Sequence, residues 1–150
     1  MTLEKYRDKA MQLCSVREYC RKDIFDKIVS WGCTSADANN IVDFLEERNF
    51  LDERRYIEAY IKDKLRFNKW GRVKIAFMLR SKNIDRNLIQ EVLANVDETE
   101  YMELLLNELQ KKHRSIKRDK DYEQKGKLFR FATSRGFEPE IVNEAILRML

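Results

Sequence analysis

Apolar residues recur along this chain in a helical rhythm, and the rhythm comes three times. Counting from Cys33, Ile84 and Phe137, the positions four, five, eight, nine and twelve residues on are apolar in each segment, save Asp37. They read Ala38, Ile41, Val42, Leu45; Leu88, Ile89, Val92, Leu93, Val96; and Ile141, Val142, Ala145, Ile146, Met149. At about 3.6 residues per turn, these offsets draw one face of a helix. Upstream, the pairs Ile24/Ile28, Ile75/Leu79 and Leu128/Ala132 mark a second amphipathic helix in each segment. A first helix precedes each pair, roughly Thr2–Cys14, Asp52–Phe67 and Asp97–Ile116. Their inner faces read Leu3/Tyr6/Ala10/Leu13, Tyr56/Ala59/Tyr60 and Tyr101/Leu104/Leu105/Leu109. The expected fold is all-α: nine helices in three tandem, helix-turn-helix-like three-helix repeats, residues 1–50, 51–96 and 97–150. A unit of about 50 residues is small for a core of its own, so the units are expected to stack into an elongated, curved array.

Helix boundaries repeat with the interiors. Thr34, Asp85 and Glu138 take one position, where a side-chain oxygen caps the free N–H groups of the last helix. Pro139 then sits where a helix tolerates proline at no hydrogen-bond cost. Gly32, Asn83 and Gly136 end the preceding helices, where a left-handed residue is wanted. Asp97-Glu98-Thr99-Glu100 has the spacing of a capping box. Gly71 and Gly126 are expected to precede second helices.

Composition narrows the class. Hydrophobic residues make up 43% and charged residues 37%, with only four Gly and one Pro, which disfavours an all-β or loop-rich fold. No apolar run approaches a membrane span, and the charged start, Met1 to Asp8, has no hydrophobic signal region. Cys14, Cys20 and Cys33 are odd in number and lack metal-like spacing, as expected of free thiols in the cytoplasm.

The net charge of +4 hides strong segregation. Residues 35–61 are net −4, residues 62–82 net +7, residues 85–108 net −6 and residues 111–127 net +5. Such blocks create local fields far stronger than the total. Chemistry, by contrast, has little to work with. The one histidine, His113, lies in Lys111-Lys112-His113-Arg114, where a solvated or phosphate-facing role is expected. No phosphate-binding glycine loop, nucleophile elbow or metal-ligand spacing occurs, so neither enzyme, metal nor cofactor is expected. Binding remains. Lys64, Arg66, Lys69, Arg72 and Lys74 are interleaved with Phe67 and Trp70, a mixture suited to phosphates and unstacked bases. The plainer alternative is that both aromatics pack the join between two helices.

The run Phe50-Leu51-Asp52-Glu53-Arg54-Arg55-Tyr56-Ile57-Glu58-Ala59-Tyr60-Ile61-Lys62-Asp63-Lys64 resembles the most distinctive segment of the RecX family. That pattern is an aromatic, Leu-Asp-[Asp/Glu], then [Phe/Tyr]-x-x-[Ala/Ser]-[Phe/Tyr] and a basic tail. The resemblance continues through Lys69-Trp70-Gly71-Arg72-Val73-Lys74-Ile75, and upstream through Lys9–Leu13 and Arg17–Asp23. Cys20 stands where the family usually has a capping Ser or Thr, which should weaken that cap. The resemblance is strongest over residues 9–96, and the run 111–127 departs from it.

The resemblance implies a cytoplasmic, monomeric, non-enzymatic modulator of DNA repair, homologous recombination and the SOS response. Family members bind the RecA recombinase and its filament on single-stranded DNA. They mainly inhibit its ATP hydrolysis, strand exchange and co-protease activity. The candidate contact residues are Lys62, Lys64, Arg66, Lys69, Trp70, Arg72, Lys74, Arg80, Lys82, Lys111, Lys112, Arg114, Lys117 and Arg118. Reversing Lys69, Arg72 and Lys74 together is expected to weaken filament binding without unfolding the protein. Direct DNA contact is left open: the alternatives are a free-standing DNA-binding protein and a protein-only adaptor.

Overall fold

A computed structural model describes all residues, 1–150. It contains nine α-helices: α1 (Leu3–Val16), α2 (Arg21–Ser30), α3 (Ser35–Glu47), α4 (Glu53–Asp63), α5 (Arg72–Arg80), α6 (Arg86–Leu93), α7 (Glu98–Ser115), α8 (Asp121–Ser134) and α9 (Pro139–Met149). A π-helical turn, Lys64–Asn68, ends α4, so the expected helix to Phe67 divides at Asp63.

The repeated register sets the cores. Ile24, Ile28, Ala38 and Leu45 are fully buried, as are Ile75, Leu79 and Ile89, and Leu128, Val142 and Ala145. Asp37, the one break in the pattern, is exposed. The first helices follow the expected faces less closely. Leu3 is 44% exposed and only Ala10 of α1 is buried, whereas α4 buries Ile57 and Ile61 beside Tyr56. Substantial helix–helix contact falls inside the groups α1–α3, α4–α6 and α7–α9.

Neighbouring groups share side chains rather than whole faces. Cys20, at the start of α2, packs into the core of α4–α6, and Leu51 packs into that of α1–α3. Leu65 and Val96 touch both the second and third cores. The molecule exposes 9272 Å². A compact 18.1 kDa monomer would expose about 8,100 Å². The excess area fits a row of units.

Capping largely follows the sequence. Thr34 Oγ1 accepts from Asp37 N–H at 3.2 Å, Asp85 Oδ2 from Leu88 N–H at 3.1 Å and Asp97 Oδ1 from Glu100 N–H at 2.9 Å. Gly32, Asn83 and Gly136 take the expected positive φ, at 102°, 60° and 95°. Cys20 does cap α2, its Sγ accepting from Asp23 N–H at 3.4 Å, a long contact of the weak kind expected from sulfur.

Two expectations fail. Glu138 caps nothing: its carboxylate turns away from α9 to Arg72 and Tyr101, and Pro139 leaves one fewer N–H to satisfy. Gly126 does not precede a helix but lies within α8, which begins at Asp121 with Asp121 and Glu123 in its first turn. Acidic side chains there complement the helix dipole, and they outweigh the modest cost of one interior glycine.

Candidate nucleic-acid interface

The link from α4 to α5 carries most of the basic block, and it has an unusual backbone. Trp70 N–H reaches back to the Lys64 carbonyl at 3.1 Å, closing the wide π-turn. Lys69, which ends the turn, has φ 57°, a left-handed conformation uncommon for a residue with a Cβ. Turns of this kind recur at functional sites, where surrounding structure holds a strained conformation in place. Here Trp70 anchors it, half-buried against the second core.

The cations around this turn are ordered by aromatic rings. Lys64 Nζ lies 5.3 Å from the Tyr60 ring centre and 4.9 Å from that of Trp70, and Lys74 Nζ lies 4.5 Å from Trp70. The Arg66 guanidinium lies 5.3 Å from the Phe67 ring, and Phe67 is 70% exposed. The two aromatics therefore part company: Trp70 packs the join and Phe67 does not. Lys62, Lys64, Arg66, Lys69 and Lys74 enter no ion pair, and no acidic residue stands between Lys64 and Ile84. Positive charge here is available to a partner.

Arg72 is different. Its Nε donates to Glu138 Oε2 at 2.8 Å and Nη1 to Glu98 Oε1 at 2.6 Å, and the guanidinium lies 4.1 Å from the Tyr101 ring centre. Burial works against its charge, but the two carboxylates overcome it and raise its pKa. Burial, with the bond to Glu138, keeps the Tyr101 phenol protonated far above its usual range. Tyr101 Oη consequently donates to Glu138 Oε1 at 2.5 Å while accepting from Arg72 N–H at 2.9 Å. Arg72 thus joins α5 to α7 and α9, and unlike the other candidate cations of this block its guanidinium is already engaged by two carboxylates.

Arg72→Met is expected to destabilise the protein by about 2 kcal/mol, because Glu138 is left half-buried without a counter-charge. Glu98→Gln should cost less than about 1 kcal/mol, since that carboxylate is 70% exposed. The Arg72 hydrogen bond holds the Glu98 carboxyl below the usual range. Its contribution is therefore present above that range and is lost as pH falls through the lowered value, and Arg72→Met should remove this acid dependence. Urea titrations at pH 7 and at a pH below the usual carboxylate range measure both effects.

The remaining candidates divide similarly. Lys82, in the turn after α5, pairs with Asp23 of α2 at 2.9 Å, and Lys111 pairs with Glu108 at 3.3 Å. Arg80 lies with Arg72, Val73, Ala76 and Leu93 along a shallow cavity of about 400 Å³ beside α5. Lys112 Nζ is 5.6 Å from the Phe131 ring centre. Arg114, Lys117 and Arg118 are exposed on and after the end of α7. Buried Gln124 holds that loop, its Nε2 donating to the Lys117 and Asp119 carbonyls at 3.0 and 2.8 Å. Its Oε1 must then accept, which places a proton on His113 Nε2 at 3.0 Å. His113 is half-buried and helps organise the loop, rather than standing solvated or facing phosphate as expected.

No group of three or more His, Cys, Asp or Glu residues forms a metal site. Burial pushes the Cys14 and Cys20 thiols up to about 11 and raises Cys33 too, so none is a thiolate nucleophile near neutral pH.

Residues 52–93 match the model of the second three-helix domain of RecX, and residues 98–146 match that of the third. The chain belongs to the RecX family. The regulatory protein RecX of Clostridium botulinum (strain Eklund 17B / Type B) is 31% identical over 144 residues, which cover 95% of this chain and 67% of that protein. RecX of Chlorobium phaeobacteroides is 27% identical, over 95% of this chain and 92% of its own. The crystal structure of RecX from Lactobacillus salivarius shares the fold, with a TM-score of 0.88 at 20% identity, over 97% of this chain and 95% of that one. The clostridial relatives are thus half as long again, while the Chlorobium protein is nearly coextensive. No helix of this chain is long and apolar enough to cross a membrane.

The sequence missed four participants: Glu98, Tyr101 and Glu138, which hold Arg72, and Gln124, which shapes the third group's basic loop. Glu98, Tyr101 and Glu138 lie 26, 29 and 66 residues from Arg72, and no local pattern links them. Phe67 carried a usable signal, since it falls off the α4 register that Tyr56, Ile57 and Ile61 define.

Proposed function

We propose that this chain binds the RecA recombinase on single-stranded DNA and damps its ATP hydrolysis, strand exchange and co-protease activity. It acts in the cytoplasm as a monomeric binding protein without catalysis, in DNA repair and the SOS response. Curated relatives named as regulatory protein RecX support the partner. The observation that carries the DNA contact is the α4–α5 link, where unpaired Lys64 and Lys74 lie over Trp70 and unpaired Arg66 lies beside exposed Phe67, with Lys69 at the end of the turn. Cations held over aromatic faces lose less freedom when they meet phosphates. The exposed Arg114, Lys117 and Arg118 extend the same chemistry to the third group. Acidic α6 and α7 surfaces would face basic surface on the recombinase.

The test combines RecA ATPase on single-stranded DNA with direct binding of a labelled oligonucleotide, each across a salt series. The expected result is inhibition that rises with protein concentration, and oligonucleotide affinity that falls linearly with salt on logarithmic axes. Inhibition abolished by competitor DNA, with no RecA binding in its absence, would favour a free-standing DNA binder. Salt-independent inhibition without oligonucleotide binding would favour the protein-only adaptor.

A further inference from the structure

We infer that Phe67 is the base-stacking residue of this surface, and that it takes an unpaired nucleobase of single-stranded DNA. This rests on the proposed DNA contact and goes beyond it, since cations alone would hold any polyanion.

Trp70 is the larger ring, but both Lys64 and Lys74 already lie over it, and the second core covers part of the rest. A base stacking there would have to displace an ammonium group. Phe67 belongs to no core and is 70% exposed. It stands on the π-turn two residues before left-handed Lys69, so the backbone that turns this ring to solvent is strained and anchored from behind. Its neighbours are Arg66, Asn68 and Lys69, with no carboxylate from Lys64 to Ile84. An apolar flat ring among unpaired cations suits a ligand that is both polyanionic and rich in exposed π-faces. Single-stranded nucleic acid is that ligand, because duplex bases are already stacked.

The experiment measures affinities of the full chain for a labelled oligothymidylate and for an abasic oligomer of equal length and charge. Wild type should bind the base-bearing strand about tenfold more tightly, as expected for one stacked base. Phe67→Ala should lose that preference and leave abasic affinity unchanged, while Phe67→Tyr keeps it. A second readout uses Phe67→Trp beside wild type: the base-bearing strand should quench the variant's fluorescence more than that of wild type, and the abasic strand should not. Equal wild-type affinity for the two strands overturns the stacking role and leaves the phosphate contact standing. Binding to neither overturns both. Phe67→Ala that binds DNA normally but no longer inhibits RecA makes the ring a protein anchor, and also overturns the inference.

Discussion

Gly136→Ala is expected to destabilise the protein by about 3–4 kcal/mol, the largest loss from any single methyl group in the chain. Two independent effects add there. Gly136 has φ 95°, where a Cβ is strained whatever the surroundings, at about 1–2 kcal/mol. A Cβ would also stand 2.3 Å from Lys74 Cβ and 2.7 Å from Lys74 N, atoms of another helix that cannot swing aside. Forced shifts of this kind cost about 1–3 kcal/mol.

Gly71 meets it from the other side. Gly71 N–H donates to the Arg135 carbonyl at 2.8 Å and Val73 N–H to the Gly136 carbonyl at 2.9 Å, so the two backbones touch directly. A Cβ on Gly71 would lie 2.4 Å from the Gly136 carbonyl, yet its own φ is an ordinary −83°. Gly71→Ala therefore isolates the close approach. Gly32→Ala isolates the backbone strain, for Gly32 has φ 102° and only the Tyr6 hydroxyl near, at 3.3 Å. Urea midpoints should rank wild type first, then the Gly32 and Gly71 variants, then Gly136→Ala. If Gly136→Ala costs no more than Gly32→Ala, the second and third groups are not locked by this contact.

Reversing Lys64, Arg66 and Lys69 together to Glu is expected to weaken single-stranded DNA binding by about 100-fold near 0.1 M salt. The logarithmic salt slope should drop by about 2, because each phosphate contact with single strands contributes about 0.7. None of the three makes an ion pair, and Lys69 keeps its left-handed backbone under the substitution. Folding should therefore be little affected, within about 1 kcal/mol, apart from the aromatic contacts of Lys64. Reversing Lys69, Arg72 and Lys74 instead would not isolate the contact. A carboxylate at Arg72 would meet Glu98 and Glu138, so that combination would unfold the junction and confuse instability with lost binding. Unchanged affinity and slope, with the melting curve intact, would remove the α4–α5 link from the contact.

Much of the molecule was readable along the chain. The register through Ala38, Ile89 and Val142 predicted buried faces, because a helix converts spacing into direction without help from distant residues. Caps at Thr34, Asp85 and Asp97 were readable for the same reason: donor and acceptor lie three residues apart. Gly32 and Gly136 announced left-handed helix ends by lacking a Cβ.

What the sequence left open was which charges are free. Arg72 and Lys74 are two residues apart in one basic block, yet Arg72 joins carboxylates 26 and 66 residues away while Lys74 lies over Trp70. Glu138 has the position of a cap and serves as a partner across groups instead. Phe67 and Trp70 look alike in the chain and have opposite fates. The sequence by itself determined nine helices, the inward faces of the second and third helix of each group, the basic block and the family. Tertiary structure alone decided that Arg72 is a strut, Trp70 an anchor and Phe67 an open ring. The reason is physical: helical periodicity is a local property, whereas the partner of a charge is chosen by packing between segments far apart in the chain.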